Sequence, residues 1–221
     1  KEYLLIKKNF PEKKKIELTK REGNKCSLSS KDSDYNKLKI KKNISIKIIE
    51  QKFDEKFFSS IVNLLKKDIL ISRYKYESLK NLFSLFRKIK IKKNNNKKNY
   101  FEKIIHSHYR RNFEFSFMSR GSFITPHTDK SSKLLSLMLY FPTKDLENLK
   151  IGTTFHNLTF KDFSNKMCDI KLNKKDKSLA LPFKKRNLYC FIKSDLSWHS
   201  VEKLNIPKKE VRKSININLN I

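Results

Sequence analysis

His127-Thr128-Asp129 lies at the end of one candidate strand, Phe123–Thr128, and shortly before a second, Leu134–Phe141. The fold prediction starts from this stretch, because it joins two strands and carries candidate metal ligands. In an extended segment, side chains two positions apart point to the same side. The imidazole of His127 and the carboxylate of Asp129 can therefore hold one metal ion together. Farther along the chain, His199 in Ser197-Trp198-His199-Ser200-Val201 is a second candidate imidazole ligand.

The second half of the chain contains many short apolar segments of strand length. Several short strands separated by loops are typical of a β-sandwich or β-barrel. Because helices are expected before them, these strands indicate an α+β fold with helices covering one face of the β core. The candidate strands are Phe113–Met118, Phe123–Thr128, Leu134–Phe141, Thr153–His156, Ser178–Leu181, Leu188–Ile192 and Val211–Asn220.

The first half of the chain mixes helix-like and strand-like patterns. Phe58, Ile61 and Leu65 recur at spacings of three and four, which predicts an amphipathic helix. Ile44, Ile46 and Ile48 instead alternate with polar residues, which predicts a strand. The segments predicted in this way are helices at 54–67, 76–90 and 100–111, strands at 3–6 and 44–50, and loops at 27–33 and 92–99.

A length of 221 residues suits a single domain. Apolar residues make up 38% of the chain and aromatic residues 12%, which is enough to build a core and argues against global disorder. We expect one domain over 1–221, in which residues 1–110 buttress a β core at 111–221.

The formal net charge of +30 has two explanations that the sequence leaves open. Residues 1–100 hold 29 Lys and Arg against 11 acidic residues, whereas residues 101–150, which contain the motif, hold only 8 against 5. A general compositional bias towards Lys, Asn and Ile would give this charge. A polyanionic partner such as nucleic acid would also select it.

Cysteine usage and hydropathy bear on location. Cys26, Cys168 and Cys190 are odd in number and far apart, which argues against a disulfide scaffold and favours a reducing compartment. Tyr3–Ile6 is too short for the apolar core of a signal peptide. The longest apolar run, Leu134–Phe141, is too short to span a membrane. We therefore expect a cytoplasmic protein without a membrane span, while its oligomeric state stays open.

The ordered set of motifs resembles the 2-oxoglutarate and Fe(II)-dependent oxygenase superfamily over residues 113–220. Two His and one Asp form the ligand set of non-haem Fe(II) oxygenases, which leave metal positions open for other molecules. The residues that carry the resemblance are Gly121, His127-Thr128-Asp129, Leu139-Tyr140, Gly152-Thr153-Thr154-Phe155, Trp198-His199-Ser200-Val201 and Arg212-Lys213-Ser214.

The resemblance implies a double-stranded β-helix, or jelly roll, with N-terminal helices packed on the larger sheet. His127, Asp129 and His199 would bind Fe(II). Arg212 would pair with the distal carboxylate of 2-oxoglutarate, Ser214 would donate a hydrogen bond to it, and Tyr140 would add a contact from a neighbouring strand. The reaction would consume O2 and 2-oxoglutarate, release succinate and CO2, and hydroxylate a small metabolite, amino acid or sugar-linked substrate.

Other candidate residues have simpler interpretations beside the functional ones. His156 is a possible metal ligand or substrate contact, although it lies at a loop or strand edge. Arg120 and Lys130 flank the motif and suit either an anionic substrate or solvent. His106 and His108 lie two apart in a predicted helix, which makes them poor joint ligands.

Three alternative functions stay open at this point. A nucleic-acid oxidative demethylase would need a basic groove and an aromatic stacking platform beside the iron. A non-catalytic jelly-roll module would keep the shape without the reaction. A basic nucleic-acid-binding protein would bind in a strongly salt-dependent way and need no metal.

Overall fold

The computed structural model describes residues 1–12, 18–20, 22–74, 88–91, 106–147, 149–157 and 178–221. The described α-helices are α1 (Glu2–Lys8), α2 (Ser33–Ile40), α3 (Ile44–Lys52), α4 (Glu55–Leu64) and α5 (Lys66–Ile69). A 3-10 turn at Glu22–Asn24 and a π-helical turn at Leu70–Tyr74 accompany them. The strands are β1 (Thr19–Lys20), β2 (Cys26–Ser29), β3 (Lys88–Ile91), β4 (His106–Met118), β5 (Ile124–His127), β6 (Lys133–Tyr140), β7 (Thr154–His156), β8 (Ser178–Ala180), β9 (Leu188–Ile192), β10 (His199–Val201) and β11 (Arg212–Asn220).

The strands form two sheets. The larger has the order β1-β2-β4-β11-β6-β9, with β3 paired in parallel to β4, and the smaller has the order β5-β10-β7-β8. The other pairings are antiparallel. The chain passes back and forth between β4-β11-β6-β9 and β5-β10-β7-β8, which is the winding of a double-stranded β-helix, or jelly roll. The predicted α+β jelly-roll fold is therefore confirmed.

The two faces of the larger sheet have opposite chemistry because strand side chains alternate. On β11, Ile215, Ile217 and Leu219 join one apolar core, whereas Ser214 and Asn218 are buried on the other side. Strand β6 repeats this pattern, since its residues at 135, 137 and 139 are Leu and lie in the same core as Ile215. One face of the sheet therefore packs on apolar side chains, and the other lines a polar cavity.

The N-terminal helices cover the apolar face, as the resemblance implied. Ile6 of α1, Ile49 of α3 and Phe58 of α4 belong to the same core cluster as Phe115 of β4. Phe10 makes an edge-on contact with Phe115 at 5.0 Å between ring centroids. Strands β1 and β2 also come from this N-terminal part and extend the larger sheet. The boundary between supporting region and β core at 110/111 stays a prediction.

The helix predicted over 54–67 is confirmed by α4 and α5. Asp54 caps α4, because its side chain accepts a hydrogen bond of 2.8 Å from the backbone N–H of Phe57. Phe58 and Val62, one turn apart, are buried. The two helices meet at Leu65, where the chain makes a short turn.

The strand predicted over 44–50 is wrong, because this segment forms helix α3. The Asn43 side chain accepts a hydrogen bond from the Ile46 N–H and caps the helix. Ile46 and Ile49, three residues apart, are buried against the sheet. Burial of Ile46 and Ile49 on one face of a helix thus outweighed the strand-like alternation of Ile44, Ile46 and Ile48. Tyr3–Ile6 is likewise helical, within α1, and part of the loop predicted over 27–33 is strand β2.

Two other predicted helices are wrong where the structure describes them, because those residues form strands. The structure places residues 106–111 of the helix predicted over 100–111 in β4, which runs for 13 residues and pairs with β11. Residues 88–90 of the helix predicted over 76–90 lie in β3. The remainder of both predictions, and the loop predicted over 92–99, lie outside the described residues. The seven strands predicted in the second half of the chain fall on β4 to β9 and on β11, whereas β10 in that half was missed.

None of the described helices combines the length and the apolar character that a membrane crossing requires.

Candidate metal centre

The two histidines of the predicted ligand set are direct neighbours across a strand pair. His199 of β10 lies opposite His127 of β5, and their ring centroids are 4.4 Å apart. Asp129 follows two residues after His127. One ligand atom from each of the three residues lies within 4.8 Å of the others. The structure therefore brings together all three predicted ligands, although His127 and His199 are 72 positions apart in the sequence.

Hydrogen bonds fix which ring nitrogen of each histidine can bind a metal. Nδ1 of His127 lies 2.8 Å from the Thr125 carbonyl oxygen, and Nδ1 of His199 lies 2.9 Å from the Ser197 carbonyl oxygen. A carbonyl oxygen only accepts, so each Nδ1 carries the proton and donates it. Nε2 of each ring is then left with a free lone pair. Such a backbone partner behind the ring is the usual support of a metal-binding histidine.

The protonation states also suit a cation. Burial, together with the neighbouring His127, lowers the pKa of His199 to about 4, although the Ser197 carbonyl and Asp129 act in the opposite direction. His199 is therefore neutral at pH 7. Burial alone would raise the pKa of Asp129, but Lys133, Ser136 and His199 together hold it below its ordinary value. Two imidazoles and one carboxylate are a donor set that suits a divalent transition metal.

Both oxygens of the Asp129 carboxylate have partners. Lys133 Nζ donates to Oδ1 at 2.5 Å, and Ser136 Oγ donates to Oδ2 at 2.7 Å. The Asp129 side chain is only 8% exposed, against 25% for that of Lys133. These contacts hold the carboxylate beside the two imidazoles. The resemblance gave no role to Lys133 or Ser136.

The aromatic surroundings of His199 restrict its ring. The ring of Phe191 lies 4.9 Å from it and that of Phe155 lies 5.9 Å from it, between centroids. Phe155 and Phe191 also contact each other edge-on at 5.1 Å. This apolar wall excludes water from one side of the histidine pair.

The three candidate ligands open onto a cavity of about 150 Å³ between the two sheets. Its polar wall is the inner face of the larger sheet, and its apolar wall comes mainly from the smaller sheet and β9. The lining residues are Lys25, Glu114, Ser116, Ile124, His127, Asp129, Lys133, Ser136, Met138, Thr153, Phe191, His199, Ser200, Val201, Arg212, Ser214, Asn216 and Asn218.

Arg212 reaches this cavity from the first position of β11 and is 3% exposed. Its Nε donates to the Ile151 carbonyl oxygen at 2.6 Å. Its guanidinium carbon lies over the rings of Tyr140, at 5.1 Å, and Phe183, at 5.2 Å. Burial lowers the pKa of the guanidinium, but arginine keeps its charge in proteins. Among the residues that the structure describes, no carboxylate lies within ion-pair distance of it.

Ser214 and Tyr140, the other two predicted cofactor contacts, have different positions. Ser214 lies on the same face of β11 as Arg212 and lines the cavity. Tyr140 lies beside Ser214 on β6, but its hydroxyl group is engaged with Thr153, which donates its N–H to it at 3.0 Å. Tyr140 thus contacts Arg212 through its ring, over which the guanidinium group lies.

The sequence interpretation missed most of the polar wall. Ser116, Asn216 and Asn218 line the cavity and alternate with apolar residues on the opposite faces of β4 and β11. That period-two pattern was the available signal. Lys25 and Glu114 form a buried ion pair of 2.5 Å on the same wall, and no local pattern marks Lys25.

The remaining candidates lie outside the cluster. His156 is buried, and its Nε2 lies 2.8 Å from Ser200 Oγ. Arg120 and Lys130 are exposed. His108 lies on β4, where strand geometry replaces the predicted helix, and it does not belong to the metal-ligand cluster found among the described residues.

No family model and no curated protein matches this sequence. Among solved structures, the chain is similar to a prolyl-4-hydroxylase from Pseudomonas putida, at 15% identity over 50% of this chain and 49% of that chain, with a TM-score of 0.33. It is also similar to a prolyl 4-hydroxylase from Phytophthora capsici, at 10% identity over 88% and 47%, with a TM-score of 0.43. A third is a 2OG-Fe(II) oxygenase family protein from Burkholderia pseudomallei, at 13% identity over 51% and 45%, with a TM-score of 0.31.

The chain spans about half the length of each of these three structures. Identities of 10–15% concern the fold alone. What the chain does therefore has to be argued from its own residues.

Proposed function

We propose that this chain is a 2-oxoglutarate-dependent Fe(II) dioxygenase in which His127, Asp129 and His199 hold the iron. The observation that carries the proposal is Arg212, a buried guanidinium that opens onto the same cavity as the three ligands. A permanent charge in such a place is costly unless an anion reaches it. A cavity with a metal-binding cluster and a separate buried cation suits a ligand that carries a chelating group and a second, distant carboxylate.

The residues fit 2-oxoglutarate. Arg212 presents a planar fork that can donate two parallel hydrogen bonds to the distal carboxylate. Ser214, two residues along the same face of β11, can donate its hydroxyl proton to that carboxylate. Tyr140 holds the guanidinium in place through its ring. His127, Asp129 and His199 would hold the metal, and a set of three protein ligands would leave positions for the keto acid and O2.

When bound, Fe(II) and 2-oxoglutarate would supply the oxidising chemistry, in which O2 is consumed, succinate and CO2 are released and a C–H bond is hydroxylated. The chain orients the reacting groups. The carbonyl oxygens of Thr125 and Ser197 keep both imidazoles in the metal-binding tautomer. Phe155 and Phe191 keep water from one side of His199.

We infer that the substrate is a small metabolite, an amino acid or a sugar-linked molecule. The polar wall of the described cavity, with Ser116, Asn216 and Asn218, favours a substrate rich in hydrogen-bonding groups. Cys26 and Cys190 are both free. That is consistent with the reducing, cytoplasmic location expected from cysteine usage, which stays a prediction.

Anaerobic titration tests the proposal. The purified protein is loaded with Fe(II), 2-oxoglutarate is added, and the visible charge-transfer absorption of the chelate is recorded. We expect saturable absorption in the wild type. Arg212→Met should shift the midpoint to about tenfold or higher 2-oxoglutarate concentration, because a charge-assisted pair is lost.

The matched control is Arg120→Met, which removes the same charge from an exposed position outside the cavity. Its midpoint should equal that of the wild type. A flat spectrum at saturating 2-oxoglutarate would refute the proposed function, and equal midpoints for both variants would refute the role of Arg212.

A further inference from the structure

Lys133 occupies an unusual place for a cation, because it contacts a residue that is proposed to bind a metal. Its Nζ lies 2.5 Å from Asp129 Oδ1. The lysine begins strand β6, and its backbone N–H donates to the Lys130 carbonyl oxygen at 3.0 Å. This tight turn, four residues after Asp129, aims the ammonium group at the carboxylate. The turn thus brings the start of β6 close to Asp129, so that the Lys133 side chain can reach the carboxylate.

A divalent ion at His127, Asp129 and His199 would need one oxygen of the same carboxylate. Both oxygens already have donors, since Ser136 donates to Oδ2. A neutral hydroxyl group can stay beside a metal-bound carboxylate as an outer hydrogen-bond donor. An ammonium group in the same place would cost more electrostatic free energy than a hydroxyl group, because it and the metal ion are both positive and would lie a few ångströms apart.

We propose that Lys133 is a displaceable internal counter-ion of the metal centre, which pairs with Asp129 and competes with a divalent ion for the carboxylate. This inference rests on the proposed function, because it assumes that the three residues bind a metal. It adds that the affinity of the site is set by competition with a residue of the chain itself.

The Lys133 side chain can move towards solvent because it is partly exposed. Its side chain is 25% exposed, whereas that of Asp129 is 8% exposed, so part of the lysine side chain already lies in solvent while the carboxylate is buried. Rotation about the side-chain bonds of Lys133 can carry the charge towards solvent without moving β6. Ser136 would meanwhile keep Asp129 oriented, because its hydroxyl group also lies 3.0 Å from Asn218 Oδ1, on the fixed inner face of the sheet.

Isothermal titration with Mn(II) tests the inference without any need for turnover. Lys133→Met keeps the length of the side chain and removes its charge, so its Kd should fall at least about tenfold relative to the wild type. Lys133→Arg keeps a cation and should bind within about threefold of the wild type. Lys130→Met removes an exposed charge three residues away and should leave Kd unchanged.

The outcomes separate this inference from the proposed function. Mn(II) binding that is equal or weaker in Lys133→Met would overturn the counter-ion role while leaving the metal site intact. Binding in Lys133→Met but not in the wild type would support it. Absence of binding in both would overturn the metal site and the inference together.

A second measurement follows the lysine itself. Brief reductive methylation followed by mass spectrometry reports how accessible each amine is. Mn(II) should increase methylation of Lys133 severalfold and leave that of Lys130 unchanged, because only Lys133 loses a carboxylate partner. Equal methylation of Lys133 with and without bound Mn(II) would show that the ammonium group stays on Asp129, and it would overturn the proposal.

Discussion

The two sides of the larger sheet both bury side chains but differ in chemistry. On the helix side of β11, Ile215, Ile217 and Leu219 are fully buried among apolar side chains. On the cavity side, Arg212 and Ser214 are 3% and 2% exposed. Low exposure alone therefore does not distinguish structural from functional residues.

The difference between the two sides lies in the cost of burial. Apolar side chains gain free energy when they leave water, whereas buried polar groups gain little and need partners. A sheet that buries Arg, Ser and Asn along one face gives up stability that apolar residues would supply. The helix side should therefore control stability, and the cavity side should control ligand binding.

The largest expected loss of stability comes from a substitution on the helix side of β11. Ile217→Ala should lower the free energy of unfolding by about 2–5 kcal/mol, because it leaves a cavity in a close-packed core. Urea denaturation followed by circular dichroism measures this loss. The control is Ser214→Ala on the opposite face of the same strand, which should cost about 1 kcal/mol or less. Equal losses from both variants would remove the distinction between the two sides.

The strands of the jelly roll could be predicted because their pattern survives in the fold. Leu135, Leu137 and Leu139 face one core, and the period-two alternation on β11 separates its two faces. Part of the candidate metal site could be predicted because His127 and Asp129 are close in sequence. Their meeting with His199 depended on the resemblance, since the three residues of β10 are too few to give a strand signal of their own.

The rest failed for identifiable physical reasons. Residues 44–50 alternate like a strand, yet packing of Ile46 and Ile49 and the cap at Asn43 favour a helix. Residues 106–111 pair with β11 and β3, which no local pattern reveals. No sequence pattern marks Lys133, because its contact with Asp129 depends on the turn between them.

The pH dependence of stability sharpens the comparison, because His199 on the cavity side has a strongly lowered pKa. His199 has a lowered pKa of about 4 in the folded protein, against an ordinary value of about 6.5 in the unfolded chain. Below pH 6.5 the unfolded chain therefore takes up a proton first. Metal-free protein in EDTA should lose stability as the pH falls from 6.5 to 4, by on the order of 3 kcal/mol.

Urea titrations at several pH values measure this loss. His199→Gln should flatten the profile in this window, whereas Ile217→Ala should shift the whole profile down without changing its slope. A slope that is unchanged in His199→Gln would assign the pH dependence to other groups.

Removal of a proposed metal ligand should separate binding from stability. Asp129→Ala should weaken Mn(II) binding by at least about a hundredfold, because even residues behind metal ligands are worth about 10–100-fold. His127→Ala should do the same. Calorimetric titration measures the affinity, and circular dichroism should show an unchanged fold. Retained affinity in both variants would mean that the metal binds elsewhere.

The smallest effect concerns stability at Arg212. Arg212→Met should raise the free energy of unfolding of the ligand-free protein by about 1 kcal/mol, because a buried charge without a described carboxylate partner is replaced by an apolar chain of similar length. Loss of the hydrogen bond to Ile151 offsets part of the gain. Saturating 2-oxoglutarate with Mn(II) should reverse the order, since only the wild type then pairs its guanidinium with a carboxylate. A variant that is less stable than the wild type both with and without ligand would make Arg212 a structural residue. The cavity side of the sheet would then also contribute to stability, contrary to the contrast drawn between its two sides.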